Sequence, residues 1–171
     1  MALRDADRDL LEAGAREAAE AIMRLARRET GRMLSVDTER LEALCVRVAP
    51  RAVVVGFTVN GALEGRFALI IAEPGARALA SDMIGAKQGH PPAEKLGRRA
   101  TAALTELGNI AASAFLNGAA ELLRASCVPS VPSFHVGDPA HLLPDALGGA
   151  HEALVVRLVI GDVDVEIALV R

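Results

Sequence analysis

The chain has 171 residues and is 51% hydrophobic, roughly a fifth of it alanine, with no Trp, no Tyr and four Phe, so its core is built from aliphatic side chains. That length buries about two-thirds of the surface the unfolded chain exposes, and 24% charged residues is the composition of a folded domain that needs no disulfide or metal staple. A net charge of −3 and the shortage of aromatic rings argue against nucleic acid as a partner, because both the positive field and the stacking platforms are missing.

Asp5 to about Gly31 is free of Pro and rich in Ala, Glu, Arg and Leu, which predicts one long helix. A turn-rich connector with Ser35 and Asp37 leads through Leu41 to Val48, and Pro50 marks a break. Val53–Val59 and Leu63–Ala72 flank Asn60-Gly61, which predicts a β-hairpin with a type I′ turn. Gly75 to Ile84 reads as a short helix with Pro74 near its first turn and Gly85 at its end. The Gly- and Pro-rich stretch from Gly85 to Pro92 reads as a linker.

A second long helix is expected from about Glu94 to Ala125, followed by a short, Pro-punctuated edge strand over Ser126–Phe134. His135 to Ala150 reads as a loop, and Ala153–Ile160 with Val163–Val170 as a second hairpin around Gly161-Asp162. The chain echoes itself: Leu11–Gly14 matches Thr105–Gly108 at an offset of 94, while Gly61 matches Gly161, and Phe67–Ile70 matches Ile167–Val170, at an offset of 100. The expectation is a single α+β domain with pseudo-two-fold duplication, repeat 1 over about 5–86 and repeat 2 over about 94–171, its helices covering one face of an antiparallel sheet.

Cys45 and Cys127 lie apart in apolar surroundings and read as buried free thiols. No secretory h-region follows Met1 and no apolar run approaches a membrane span, so a cytoplasmic protein without membrane insertion is expected. Phosphate-loop, dinucleotide, serine-hydrolase and zincin motifs are all missing. The spacings of His135, His141, His151, Asp138 and Asp145 match no metal-ligand pattern, so they read as a polar loop rather than a metal site. Arg24, Arg27, Arg28 and Arg32 form a basic stripe with Glu17, Glu20 and Glu29 close by; an ion-paired solvated face is the reading, with a docking patch as the alternative.

On the second long helix, Ala100, Ala103, Leu104, Leu107, Ala111, Ala114, Phe115 and Leu122 fall within one arc of about 120° at 100° per residue and are expected to be buried. Glu106 and Asn109 lie outside it, neighbours at i and i+3, with Ala102 and Ser113 beside them. Geometry alone leaves two readings open, an ordinary solvated face or a presented carboxylate and carboxamide.

Glu106-Leu107-Gly108-Asn109, followed after 22 residues by Pro132, within the duplicated pattern, resembles the CheC/CheX/FliY family of chemotaxis phosphatases. That family's signature is Asp or Ser, three residues, Glu, two residues, Asn, 22 residues, Pro. The resemblance implies a CheC-like fold and a phosphorylated CheY-type receiver as substrate. Asn109 would orient a water in line with the aspartyl phosphate, and Glu106 would pair with the receiver's lysine. The receiver would supply Mg²⁺, this chain having no cofactor of its own.

Two departures stand out. The Asp or Ser position is Ala102, with Thr101 and Thr105 nearby but turned away. In the first repeat only Glu12 is kept: Arg8 stands at the Asp/Ser position, Ala15 at the Asn position and Thr38 at the Pro position, so that site is expected to be inactive. Asp7 and Asp9 flank Arg8 but point off its face. The alternative implied by these losses is a non-catalytic module that binds a receiver or a CheD-type deamidase. Both a monomer and a homodimer remain compatible with the sequence.

Overall fold

The elements follow from local sequence with few exceptions, and the computed structural model describes them over residues 4–85 and 96–171. In chain order they are α1 (Asp5–Ala26), β1 (Gly31–Arg40), α2 (Leu41–Val48), β2 (Ala52–Gly61), β3 (Gly65–Ala72), α3 (Glu73–Ile84), α4 (Arg98–Leu123), β4 (Cys127–Pro129), β5 (Ser133–Gly137), α5 (Pro139–Ala146), β6 (Glu152–Ile160) and β7 (Val163–Val170).

The strands form one antiparallel sheet in the order β1-β6-β7-β3-β2, with β4 and β5 sharing the outer edge of β2. Exchanging the two halves of the chain leaves this order unchanged when it is read from the opposite edge. At its centre Ala68 faces Ala168, and these are 100 residues apart, the offset that relates Gly61 to Gly161. The pseudo-two-fold axis therefore passes between Ala68 and Ala168.

Strand alternation divides the core in two. Val53, Val55, Phe57, Val59, Phe67, Leu69, Val165 and Ile167 face α1, α3 and α4. Ala52, Val54, Ala68, Ile70, Val155 and Ala168 face α2 and α5. The expectation of helices on one face alone is thus corrected: α2 and α5 cover the other. In α2, Leu41, Leu44 and Val48 are the buried stripe of a helix only two turns long. In α5, Asp138 and Pro139 open a helix instead of extending a loop, because the Asp138 side chain accepts from the Ala140 N–H at 2.9 Å and Pro suits the first turn.

Further differences have local causes. β1 replaces the predicted connector, because its polar residues sit at a half-exposed sheet edge against β6. α1 ends at Ala26, where Arg27 takes a left-handed cap. β2 runs through the predicted Asn60-Gly61 turn: Gly61 (φ +104°) pairs with Cys127, the chain reverses over 62–64, and Leu63 is fully buried. Gly85 ends α3 as expected, in a left-handed cap, while the rest of the linker, residues 86–92, and the predicted start of the second long helix at Glu94 lie outside the described residues. Cys127 is buried, but Cys45 is only half-buried, where burial first and then Asp138 push its thiol pKa up.

Ion pairs tie the layers together. Arg28 at the end of α1 binds Asp82 of α3 at 2.6 Å and Asp162 in the β6–β7 turn. Burial lowers the Arg28 pKa, but the two carboxylates outweigh it and raise the net value. Glu166, 3% exposed, is gripped by Arg47 at 2.8 Å and approached by Arg157 at 3.5 Å, and Arg47 also holds Glu39 at 2.7 Å.

Candidate functional site

α4 is an Ala-rich run of 26 residues closed by Arg124 in a left-handed cap. Its glycines mark the surfaces that grip it. A Cβ at Gly118 would lie 2.8 Å from the Ala13 oxygen of α1, and one at Gly108 would lie 2.5 Å from Val55 of β2. Caught between α1 and the sheet, the helix buries about half its circumference, from Leu107 round to Leu116. The buried set is Leu104, Leu107, Gly108, Ala111, Ala112, Phe115, Leu116, Gly118 and Ala119. The predicted arc was therefore too narrow and turned too far toward α1: Ala100, Ala103 and Ala114 are half-buried and Leu122 is 56% exposed.

The free face carries Arg99, Ala102, Glu106 and Asn117, all exposed, with Asn109 and Ser113 half-buried. Glu106 and Asn109 share it, as the spacing predicts. Passing round the helix from the α1 contact through Gly108 on the sheet, the buried positions end at Leu116 and Asn109 comes next, so Asn109 faces the β4–β5 side and Glu106 faces outward. Ala102 presents only a methyl group one turn before Glu106. Thr105 does not replace the missing hydroxyl or acid, since its Oγ1 donates to the Thr101 carbonyl at 2.8 Å. Arg99, about 20° from Glu106 around the helix, is the one charged member of this face that the sequence reading passed over; the same 100° step would have found it.

Pro132 lies between β4 and β5, half-buried. The register pairs Gly56 with Ser133 and Val59 with Pro129, so two residues of β2 oppose three of the edge chain. This is a bulge, where Pro is tolerated and the strand is re-aimed. Ser130 pins it: its N–H donates to the Thr58 carbonyl at 2.8 Å and its Oγ accepts from the Thr58 N–H at 2.9 Å. Ser133 Oγ donates to the Gly56 carbonyl at 3.3 Å. The bulge and α4 are thus both referenced to β2, one through Thr58 and Gly56, the other through Val55 against Gly108.

The corresponding strip of α1 is placed differently. Arg8 and Glu12 are half-buried, Glu12 lies 3.9 Å from Arg16, and Ala15 is completely buried. The exposed residues of α1 are Asp5, Ala6, Asp9, Arg16, Glu17, Glu20 and Arg24, a face turned by about 80° from the one α4 exposes. At the matching positions the first repeat therefore has no amide, and its strip does not face outward. Asp7 is held by Arg4 and Arg171 at 2.8 Å each. Thr38 pairs with Leu154 in regular ladder, beyond the irregularity of β1 between Met33 and Ser35, and so does not occupy a place like that of Pro132.

The remaining candidates do not converge. His135 lies on β5 opposite Val54, His141 on α5 is 3.4 Å from Asp138, and the His151 carbonyl accepts from the Leu41 N–H. Among the described residues no three such side chains gather as metal ligands. Of the basic stripe, Arg28 pairs with distant Asp82 and Asp162, not with the nearby glutamates. No described helix is long and apolar enough to cross a membrane.

No protein-family model and no curated protein matches the chain. Solved structures do. Thermotoga maritima FliY is similar with a TM-score of 0.77 and 18% identity, over 98% of this chain and 91% of that one. A chain of the CheX–CheY–BeF3–Mg²⁺ complex from Borrelia burgdorferi is similar with a TM-score of 0.66 and 20% identity, over 94% and 96%. The FliM middle domain from Vibrio alginolyticus follows with a TM-score of 0.65 and 9% identity, over 97% and 92%. At these identities what is shared is the fold, and the chain accordingly has the CheC-like α+β fold of FliY, CheX and the FliM middle domain.

Proposed function

We propose that this protein accelerates hydrolysis of the aspartyl phosphate on a CheY-type response regulator in motility signalling, through one site formed by Glu106 and Asn109 in the second repeat. The observation that carries the reading is the joint presentation of this carboxylate and carboxamide on the free face of α4, within a fold that one relative displays in a complex with CheY. The reading includes a single domain of two repeats, about 5–86 and 94–171, and a cytoplasmic location.

In this mechanism α4 docks on the receiver's phosphorylation site. The Asn109 side-chain oxygen accepts a hydrogen bond from a water and holds it in line with the phosphorus. The water oxygen attacks, the bond from phosphorus to the aspartyl oxygen breaks, and phosphate leaves with the receiver's carboxylate restored. Glu106 pairs with the receiver's lysine and fixes the angle of approach. Mg²⁺ would be held by the receiver, where it would supply neutralising charge for the phosphoryl group. An amide suits the positioning role because it orients water with no pKa to tune, and phosphoryl transfer depends mainly on positioning and charge.

The test is the decay of a radiolabelled phosphoreceiver with wild-type protein and with Asn109→Ala. Faster decay with wild type alone supports the reading; no acceleration, or equal acceleration by the variant, overturns it. Ala102 and the buried Ala15 favour a second reading, a non-catalytic module for a receiver or a CheD-type deamidase. Under that reading the receiver binds while its phosphate lifetime stays unchanged.

A further inference from the structure

Arg99, Ala102 and Glu106 follow one another along the free face of α4, and all three are exposed. Arg99 and Glu106 lie about 10 Å apart along the helix axis, too far to neutralise each other. The positions that flank Arg99 on the next turn are Ala102 and Ala103. In the signature that this chain resembles, position 102 carries Asp or Ser. An Asp there would stand at i+3 from Arg99 and pair with it. With alanine no carboxylate stands at that position, and the guanidinium has room above a methyl group. The strip is therefore positive at one end and negative two turns later, with Asn109 beside the negative end.

We propose that Arg99 is a docking residue for an acidic partner surface. Resting on the function proposed above, the inference is that Arg99 engages a receiver carboxylate about 10 Å from the lysine that meets Glu106. Charge pairs at the rim of an interface act mostly on association rate and on its salt dependence, so the effect is read there.

The experiment measures association of the receiver loaded with BeF3 and Mg²⁺ at low and high salt, with wild type, Arg99→Ala, Arg99→Glu and Ala102→Asp. Arg40→Glu, exposed on the opposite sheet edge, controls for net charge, and circular dichroism checks folding. Arg99→Glu is expected to slow association about five- to ten-fold at low salt and to flatten the salt dependence. Ala102→Asp should slow it in the wild type but add nothing to Arg99→Ala. If wild type binds and Arg99→Glu binds as fast as wild type, or at the same rate as Arg40→Glu, the inference is overturned and the proposed function stands. If wild type does not bind the loaded receiver, both fall.

Discussion

Gly14 of α1 lies so close to Phe115 of α4 that a Cβ added to it would sit 2.8 Å from the Phe115 carbonyl oxygen and 2.9 Å from the ring. Gly118 meets the Ala13 oxygen in the same way, so the two long helices touch backbone to backbone. Alanine at position 14 gains about 1 kcal/mol of helix propensity, but separating the backbones costs about 1–3 kcal/mol. Gly14→Ala is expected to lose up to about 2 kcal/mol net in urea unfolding. A more stable variant would show that the helices have slack.

Ala15, at the position that matches Asn109, is 0% exposed. Ala15→Asn therefore places an amide in the core instead of restoring a second site. Overpacking and desolvation together are expected to cost about 2–4 kcal/mol, and Ala15→Asn should not rescue phosphatase activity in Asn109→Ala. Rescue in the double variant would mean that α1 rotates to present this strip.

Glu73 at the start of α3 is 7% exposed and receives a hydrogen bond from Arg51 at 2.6 Å. That bond holds its carboxyl pKa below the ordinary 4.5; burial opposes the shift and Arg77 adds to it. A depressed folded pKa favours the fold above the unfolded value and is lost as pH falls through the folded one. Glu73→Gln is expected to cost about 1–2 kcal/mol at pH 7, with the gap from wild type closing below about pH 4.5. A gap independent of pH in a urea series would remove the ionised carboxylate from the explanation.

Glu106 and Asn109 should separate kinetically. Asn109→Ala removes the group that holds the water and is expected to lower the rate at saturating phosphoreceiver by about 10²-fold or more, with little change in half-saturation. Glu106→Ala, which removes a docking partner, should mainly raise half-saturation. Neither residue is buried, so thermal midpoints should move by no more than about 2 °C. Identical kinetic signatures would contradict the division of roles.

Elements carrying strong local signals were legible: both long helices, both hairpins, the edge strand broken by Pro132, and Gly85 as a cap. β1 was not, because Ser35, Asp37 and Glu39 lack strand character and its pairing partner, β6, lies more than a hundred residues away. α2 was too short for a periodic signal, and Asp138-Pro139 looks the same whether it breaks a chain or starts a helix. The spacing of Glu106 and Asn109 placed them on one helix face, and the structure leaves that face open. That Ala15 points inward was hidden, because the rotation of α1 about its axis is decided by Gly14 against Phe115 and by the sheet beneath, not by its own sequence.

The exchanged order of strands has a consequence for how the chain is made. Gly31 pairs with Ile160 and Arg40 with Glu152, so β1 leaves the ribosome long before the strand it needs, and β2 likewise waits for β4 and β5. What the first half can assemble locally is one hairpin, marginal by itself in water, and such distant pairings slow folding to milliseconds or seconds. Synthesis and folding are therefore out of step, with apolar β2 and β3 awaiting cover, the kind of transient exposure that favours aggregation. It also means that cleavage between α3 and α4 leaves no small working remnant: the piece that keeps Glu106 and Asn109 loses the strand on which both α4 and the Pro132 bulge are set.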